Sequence, residues 1–205
     1  MPTDSTETRA RLIDAAERLF AERGVWRVTT REITEAAEQK NTSAISYHFG
    51  GREGLMAEIL RRHGDPIDLE RAELLTGIDS ASPSVAIIDA LVRPMTARLA
   101  DPSGRRYLRV VAQLTTQFAD WRGNELVPEH VNRALDWLEQ RPAAVPLAVR
   151  RVRVVSLIML MSSSLAERAR LLDTGGPVDL DPGDYEANLT DMLVGIIDAP
   201  VSVSS

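Results

Sequence analysis

The stretch from residue 29 to residue 55 reads TTREITEAAEQKNTSAISYHFGGREGL. Thr29 followed three residues later by Glu32 is a capping-box start, in which each side chain meets the other's backbone N–H. Ile33, Ala36 and Ala37 then supply a short apolar face, so a helix of two turns follows. The polar run Glu38 to Asn41 interrupts it. Ala44, Ile45, Tyr47, His48 and Phe49 predict another two-turn helix, closed by Gly50 and Gly51. Two short helices on a tight turn, with a longer helix packed behind them, are the parts of a helix-turn-helix.

That longer helix lies just ahead. Leu12, Ile13, Ala16, Leu19 and Phe20 share one helical face, with Arg9, Asp14, Arg18 and Glu22 turned outward. Asp4 with Glu7 offers a capping-box start and Gly24 a left-handed stop, predicting a helix over about residues 5–23. Beyond Arg52, Leu55, Met56, Ile59 and Leu60 restart the stripe, and Gly64 and Pro66 predict a kink before it resumes at Leu69 to Leu75. This is a linker helix over 52–76. Pro83 opens a stripe carrying Val85, Ile88, Leu91, Val92, Met95 and Leu99, and Pro102 opens one carrying Leu108, Val111, Leu114 and Phe118. Val131, Leu135 and Leu138 mark a shorter helix that Pro142 closes. A long helix runs from Pro146 to about Asp173, and a last one carries Tyr185, Leu189, Met192, Leu193 and Ile196. No strand pattern or internal repeat is present, so the fold is all-α with about nine helices.

The 205 residues suit one large domain or a small one joined to a larger one. Hydrophobic residues at 44% and charged residues at 26% describe a globular chain with an aliphatic core. Its longest apolar stretch, Val154 to Met161 broken by Ser156, is far short of the ~20 residues that cross a bilayer. Met1 to Thr8 is polar and lacks the basic start and apolar centre of a secretory signal, so the expected location is the cytoplasm, with no membrane partner. The absence of cysteine excludes disulfides, thiolate zinc sites and a cysteine nucleophile. Net charge is -6, but residues 1–63 hold ten basic and ten acidic side chains, so residues 64–205 carry all of it. Phosphate binding then falls to a local cationic face of the N-terminal part.

A helix that enters the major groove must expose hydrogen-bonding side chains, and its flanks need hydroxyls and cations for phosphate. Thr29, Thr30 and Arg31 stand at the start of the first short helix. Lys40, Asn41, Thr42, Ser43 and Ser46 stand on the turn and the second. No other chemistry competes: the three histidines have no metal-ligand spacing, Ser162 to Ser164 lack a nucleophile elbow, and Gly50 to Gly54 follow no strand. No enzyme, cofactor or metal is expected.

These residues resemble the TetR-type transcriptional regulators. The resemblance covers roughly residues 8–60 and rests on Leu12 to Phe20, Ala21-Glu22-Arg23-Gly24, Thr29-Thr30-Arg31-Glu32-Ile33, Tyr47-His48-Phe49 and Arg52-Glu53-Gly54-Leu55. The turn Ala37-Glu38-Gln39-Lys40-Asn41-Thr42 departs from the family's Ala-Gly-Val-Ser, is one residue longer, and has Glu38 in place of the usual glycine. The resemblance implies that Thr29 and Thr30 touch phosphate or cap the helix, and that Arg31 reaches a base edge or phosphate. It implies that Lys40, Asn41, Thr42, Ser43 and Ser46 form the reading face, that Tyr47 and His48 meet the backbone, and that Arg52 contacts phosphate.

It also implies a helix-turn-helix domain over 1–51 and a helical ligand-binding and dimerisation domain over 52–205. A homodimer would form through the last two helices, where Ser162, Ser163, Ser164, Ala166 and Ala169 permit close approach. A small-molecule effector would bind among Arg109, Gln113, Gln117, Trp121, Trp137, Met159 and Met161. The function so implied is a repressor that binds a pseudo-palindromic double-stranded operator as a dimer and is released by its effector. The alternative is a helical small-molecule binder or enzyme that does not touch DNA.

Overall fold

A computed structural model describes residues 2–41, 43–115 and 126–202, which form nine α-helices and no strand. They are α1 (Pro2–Arg23), α2 (Thr30–Ala36), α3 (Ala44–Phe49), α4 (Arg52–Leu74), α5 (Ser84–Thr96), α6 (Pro102–Leu114), α7 (Glu129–Glu139), α8 (Leu147–Thr174) and α9 (Pro182–Asp198). The starts of α2, α6 and α9 show why they begin where they do. The Thr29–Glu32 capping box is complete. Asp101 accepts from Ser103 N and Gly104 N at 2.9 Å, Asp181 accepts from Asp184 N at 2.9 Å, and a proline occupies the first turn of both α6 and α9.

Two apolar cores follow. Leu12, Phe20, Ile33, Ile45 and Leu55 lie fully buried where α1 to α4 meet, together with Val110 of α6. The second core gathers Ile67, Ile88, Leu91, Leu108, Leu135 and Leu157 from α4 to α8. Each such side chain contributes about 1.5–3 kcal/mol. Helix α4 serves both cores, placing Leu55 and Ile59 in the first and Ile67 in the second. Helix α6 also does so, because it packs on α1 as well as on α8.

Several boundaries differ from the sequence reading. Helix α1 begins at Pro2, three residues before the expected start at about residue 5. Helix α4 runs unbroken through Pro66, which donates no backbone hydrogen bond, and ends at Leu74, two residues before the expected 76. At Gly64 of α4 a Cβ would stand 3.5 Å from Tyr107 Oη, an ordinary van der Waals contact, so α6 packs closely here without requiring glycine. The stripe after Pro83 leaves the α-helix at Thr96 and tightens into a 3-10 turn over Ala97–Ala100, which holds Leu99. Expectations for Thr42, Gln117, Phe118 and Trp121 fall outside the described residues.

The turn after α2 is a Schellman cap. Gln39 N donates to Thr34 O and Glu38 N to Glu35 O, both at 3.0 Å, and the residue at the left-handed position is Glu38, with φ of 56°. A side chain there is strained against its own backbone. Glu38→Gly should therefore raise stability by about 0.5–1 kcal/mol in urea unfolding, with no change in cooperativity. A loss of stability would show that the Glu38 side chain compensates the strain.

Helices α8 and α9 pack on each other and expose Val152, Met159 and Met192 on their outer face. Two of the small residues expected at a dimer contact point the other way. Ser162 and Ala169 are buried within the protomer, where α8 packs against neighbouring helices, whereas Ser163 is exposed.

Candidate functional site

Helix α3 presents its outer face because Ala44 and Ile45 anchor the inner one in the first core. Ser43, Ser46 and Tyr47 are exposed on it, and Tyr47 stands out at 81% exposure. His48 is half-buried and meets the Tyr47 ring edge-on, with centroids 4.9 Å apart. Thr29, Thr30, Arg31, Lys40 and Asn41 are exposed on the same turn-and-helix unit, while Thr42 is outside the described residues. Asn41 Oδ1 accepts from Ser43 N at 2.9 Å, which fixes the entry into α3.

Thr29 caps α2. Its hydroxyl accepts from Glu32 N at 3.3 Å and donates to Glu32 Oε2 at 2.8 Å. The Thr29 backbone N–H, the Thr29 hydroxyl and then Arg23 at 2.5 Å hold the Glu32 carboxyl down to about 2. Arg31 pairs with Glu35 at 2.8 Å in full solvent, a contact that salt or phosphate displaces readily.

Three long polar side chains fix this unit from behind, and sequence reasoning had not given them this role. Arg9 of α1 donates to the His48 carbonyl at 3.0 Å, lies 4.7 Å over the Phe49 ring and pairs with Glu58 at 2.7 Å. It thereby meets the electron-rich end of α3. Gln113 of α6 accepts from Val25 N at 2.6 Å and donates to Phe20 O at 3.1 Å. Arg52, expected at phosphate, is half-buried, and its guanidinium donates within the protein to Val28 O at 2.6 Å and to Val25 O, with its carbon 4.9 Å over the Phe20 ring. Carbonyls of the loop between α1 and α2 claim its donors.

Behind Arg52 opens a cavity of about 600 Å³ among α4 to α8. Met56, Leu60, Leu91, Met95 and Ile158 line it, and the exposed Trp26, Glu53 and Leu126 mark its opening. Tyr107 forms part of the wall, and burial pushes its hydroxyl up to about 12. Its ring stacks on His63 at 4.7 Å, whose Nε2 lies 2.9 Å from Oε1 of the buried Glu17. The wall therefore touches α1 through one imidazole.

Of the residues expected around an effector, Met161 alone among the described ones lines this cavity. Met159 is 46% exposed, because two residues along a helix turn a side chain to the opposite face. Arg109 pairs with Asp173 at 3.6 Å, Trp137 packs on the second core, and Gln113 clasps the loop described above. Gln117 and Trp121 lie outside the described residues.

Residues 12–59 match the family model described as bacterial regulatory proteins, tetR family. The chain is 36% identical over 96 residues to the HTH-type transcriptional repressor KstR2 of Rhodococcus jostii (strain RHA1), a match covering 44% of this chain and 45% of that relative. The chain thus spans less than half the length of that protein. The solved structure of NalD, the secondary repressor of the MexAB-OprM multidrug efflux pump in Pseudomonas aeruginosa, shares the fold with a TM-score of 0.57 at 23% identity, over 93% of this chain and 95% of that one. SmeT, the repressor of the Stenotrophomonas maltophilia pump SmeDEF, shares it with 0.56 at 20%, over 97% and 98%. The ketosteroid transcriptional regulator KstR2 of Mycobacterium tuberculosis shares it with 0.56 at 17%, over 91% and 93%.

Proposed function

We propose, from the match of residues 12–59 to the family model described as bacterial regulatory proteins, tetR family, that the chain is a ligand-responsive transcriptional repressor. It binds a pseudo-palindromic operator as a homodimer and is released when a small molecule fills the cavity behind Arg52. The observation that carries this reading is the α2–α3 unit, whose exposed Thr30, Lys40, Ser46 and Tyr47 stand on one braced scaffold. Phosphate contacts set the register of such a unit and base edges give it sequence preference. Residues 1–51 form the reading part and residues 52–205 the sensing part. The exposed apolar face of α8 and α9 supports dimerisation there, which two-fold operator symmetry requires. A cytoplasmic site of action follows from a DNA partner, and no helix among the described residues is long and apolar enough to cross a membrane.

The cavity adjoins the reading part directly, since Val25 belongs both to its wall and to the loop that leads into α2, and Arg52 of α4, also in the wall, donates to that loop's carbonyls. A ligand that fits one placement of this loop better than another shifts the population of DNA-competent dimers by its differential affinity.

Fluorescence anisotropy on duplexes selected from a random pool tests the reading. Salt-dependent binding to one enriched sequence, two subunits per site, is the expected result. Equal binding to every duplex overturns it. In the same titration Lys40→Ala should weaken binding uniformly across sequences and reduce the slope of log affinity against log salt by about one. An unchanged slope would place Lys40 away from phosphate.

A further inference from the structure

Arg71 is a buried cation in the wall of the cavity. It is 2% exposed, its Nη1 donates to Asp68 Oδ1 at 2.7 Å, and its Nε has no hydrogen-bond partner among the described residues. A guanidinium presents five donors, and native proteins leave few buried ones unused. Burial also pulls the Arg71 guanidinium below its ordinary pKa, the sign of a charge held out of water.

Asp68 does not fully offset this charge, because its carboxylate is shared. Oδ2 accepts from His130 N at 3.0 Å and lies 2.9 Å from His130 Nδ1, while Oδ1 also takes Val131 N at 3.3 Å. His130 and Val131 stand in the first turn of α7, whose N-terminal end carries partial positive charge. Glu129, in the same turn, is exposed and paired with Arg133 at 2.7 Å, so the buried part of the cluster keeps the Arg71 charge only partly offset by the shared Asp68 carboxylate. The nearby Glu70 is engaged by Arg98. Around Arg71 the wall is apolar, with Ile67, Leu91, Met95, Val131 and Leu135. The acidic side chain of the described wall, Glu53, is exposed at the opening.

Taking this cavity as the effector site proposed above, we infer that the effector is an apolar acid: a hydrophobic body with one carboxylate seated against the Arg71 guanidinium. The carboxylate gives the unpaired donor an ionised acceptor in a dry wall, where such bonds are strongest. A cavity of about 600 Å³ lies within the range of small-molecule sites and leaves room for the body.

The test is calorimetry on the full chain with sodium alkanoates from octanoate to tetradecanoate, each beside the alcohol with the same alkyl body. At least one acid should bind about tenfold or more tightly than its alcohol. Arg71→Lys, which keeps the charge and loses the planar fork, should remove most of that preference by weakening the acids far more than the alcohols. Should this variant fail to fold, the ratio in the unaltered protein decides by itself. Equal affinities, or no binding by any acid, overturn the inference. A parallel anisotropy titration against the selected duplex separates the two readings. An acid that binds without releasing DNA upholds the acid class and overturns the effector role. Alcohols that bind as well as acids and release DNA do the reverse.

Discussion

Arg52→Met is expected to lower folding stability by about 2–3 kcal/mol and to abolish selective DNA binding. The magnitude follows from what the guanidinium holds. It donates to Val25 O and Val28 O and lies over the Phe20 ring. Losing a donor from a partly buried carbonyl costs about 1 kcal/mol or more, and the ring contact adds about 0.5–1. The functional loss follows from position, since Val28 immediately precedes the Thr29 cap that starts α2. Lysine does not rescue either property, because one ammonium cannot reproduce a fork that spans two carbonyls. The opposing reading, in which Arg52 meets phosphate, makes contrary forecasts. There methionine leaves urea unfolding unchanged and lysine restores most of the affinity. Unfolding curves for both variants, beside anisotropy on the selected duplex, separate the two.

The helix-turn-helix was legible because each of its signals is local. Thr29 and Glu32 meet across three residues, Gly50 closes α3 with φ of 72°, and the inward residues Ile33, Ala44 and Ile45 follow from face spacing alone. The cavity was not legible, because its wall runs from Val25 to Ser162 and is selected by how five helices pack. In α8, apolar residues occupy nearly every side, so periodicity carried no phase to separate the lining Met161 from the outward Met159. Gln113 shows the same limit from the polar side. Its placement on α6 was readable, whereas its partner Val25 N lies 88 residues away in sequence. Arg71 gave no signal at all, since a lone arginine in a polar stretch of helix reads as a solvated charge until tertiary packing buries it.

Tyr47→Ala is expected to weaken binding to the selected duplex by about 10–100-fold while leaving thermal stability within about 0.5 kcal/mol of the parent. Both halves come from one placement. The ring is 81% exposed and touches His48 edge-on, so the folded protein loses little when it is removed. An aromatic of that size held out in water on a six-residue helix contributes instead to whatever docks against the helix. Tyr47→Phe divides the effect: the hydroxyl supplies a phosphate hydrogen bond and the ring packs against sugar, so phenylalanine should recover part of the affinity but not all. The salt slope distinguishes this residue from Lys40. A neutral hydroxyl on phosphate releases no counterion, so Tyr47→Ala lowers affinity at every salt concentration without changing the slope, whereas Lys40→Ala lowers the slope by about one. If Tyr47→Ala binds DNA like the parent, α3 does not dock by this face, and the exposed ring must serve a contact with another protein.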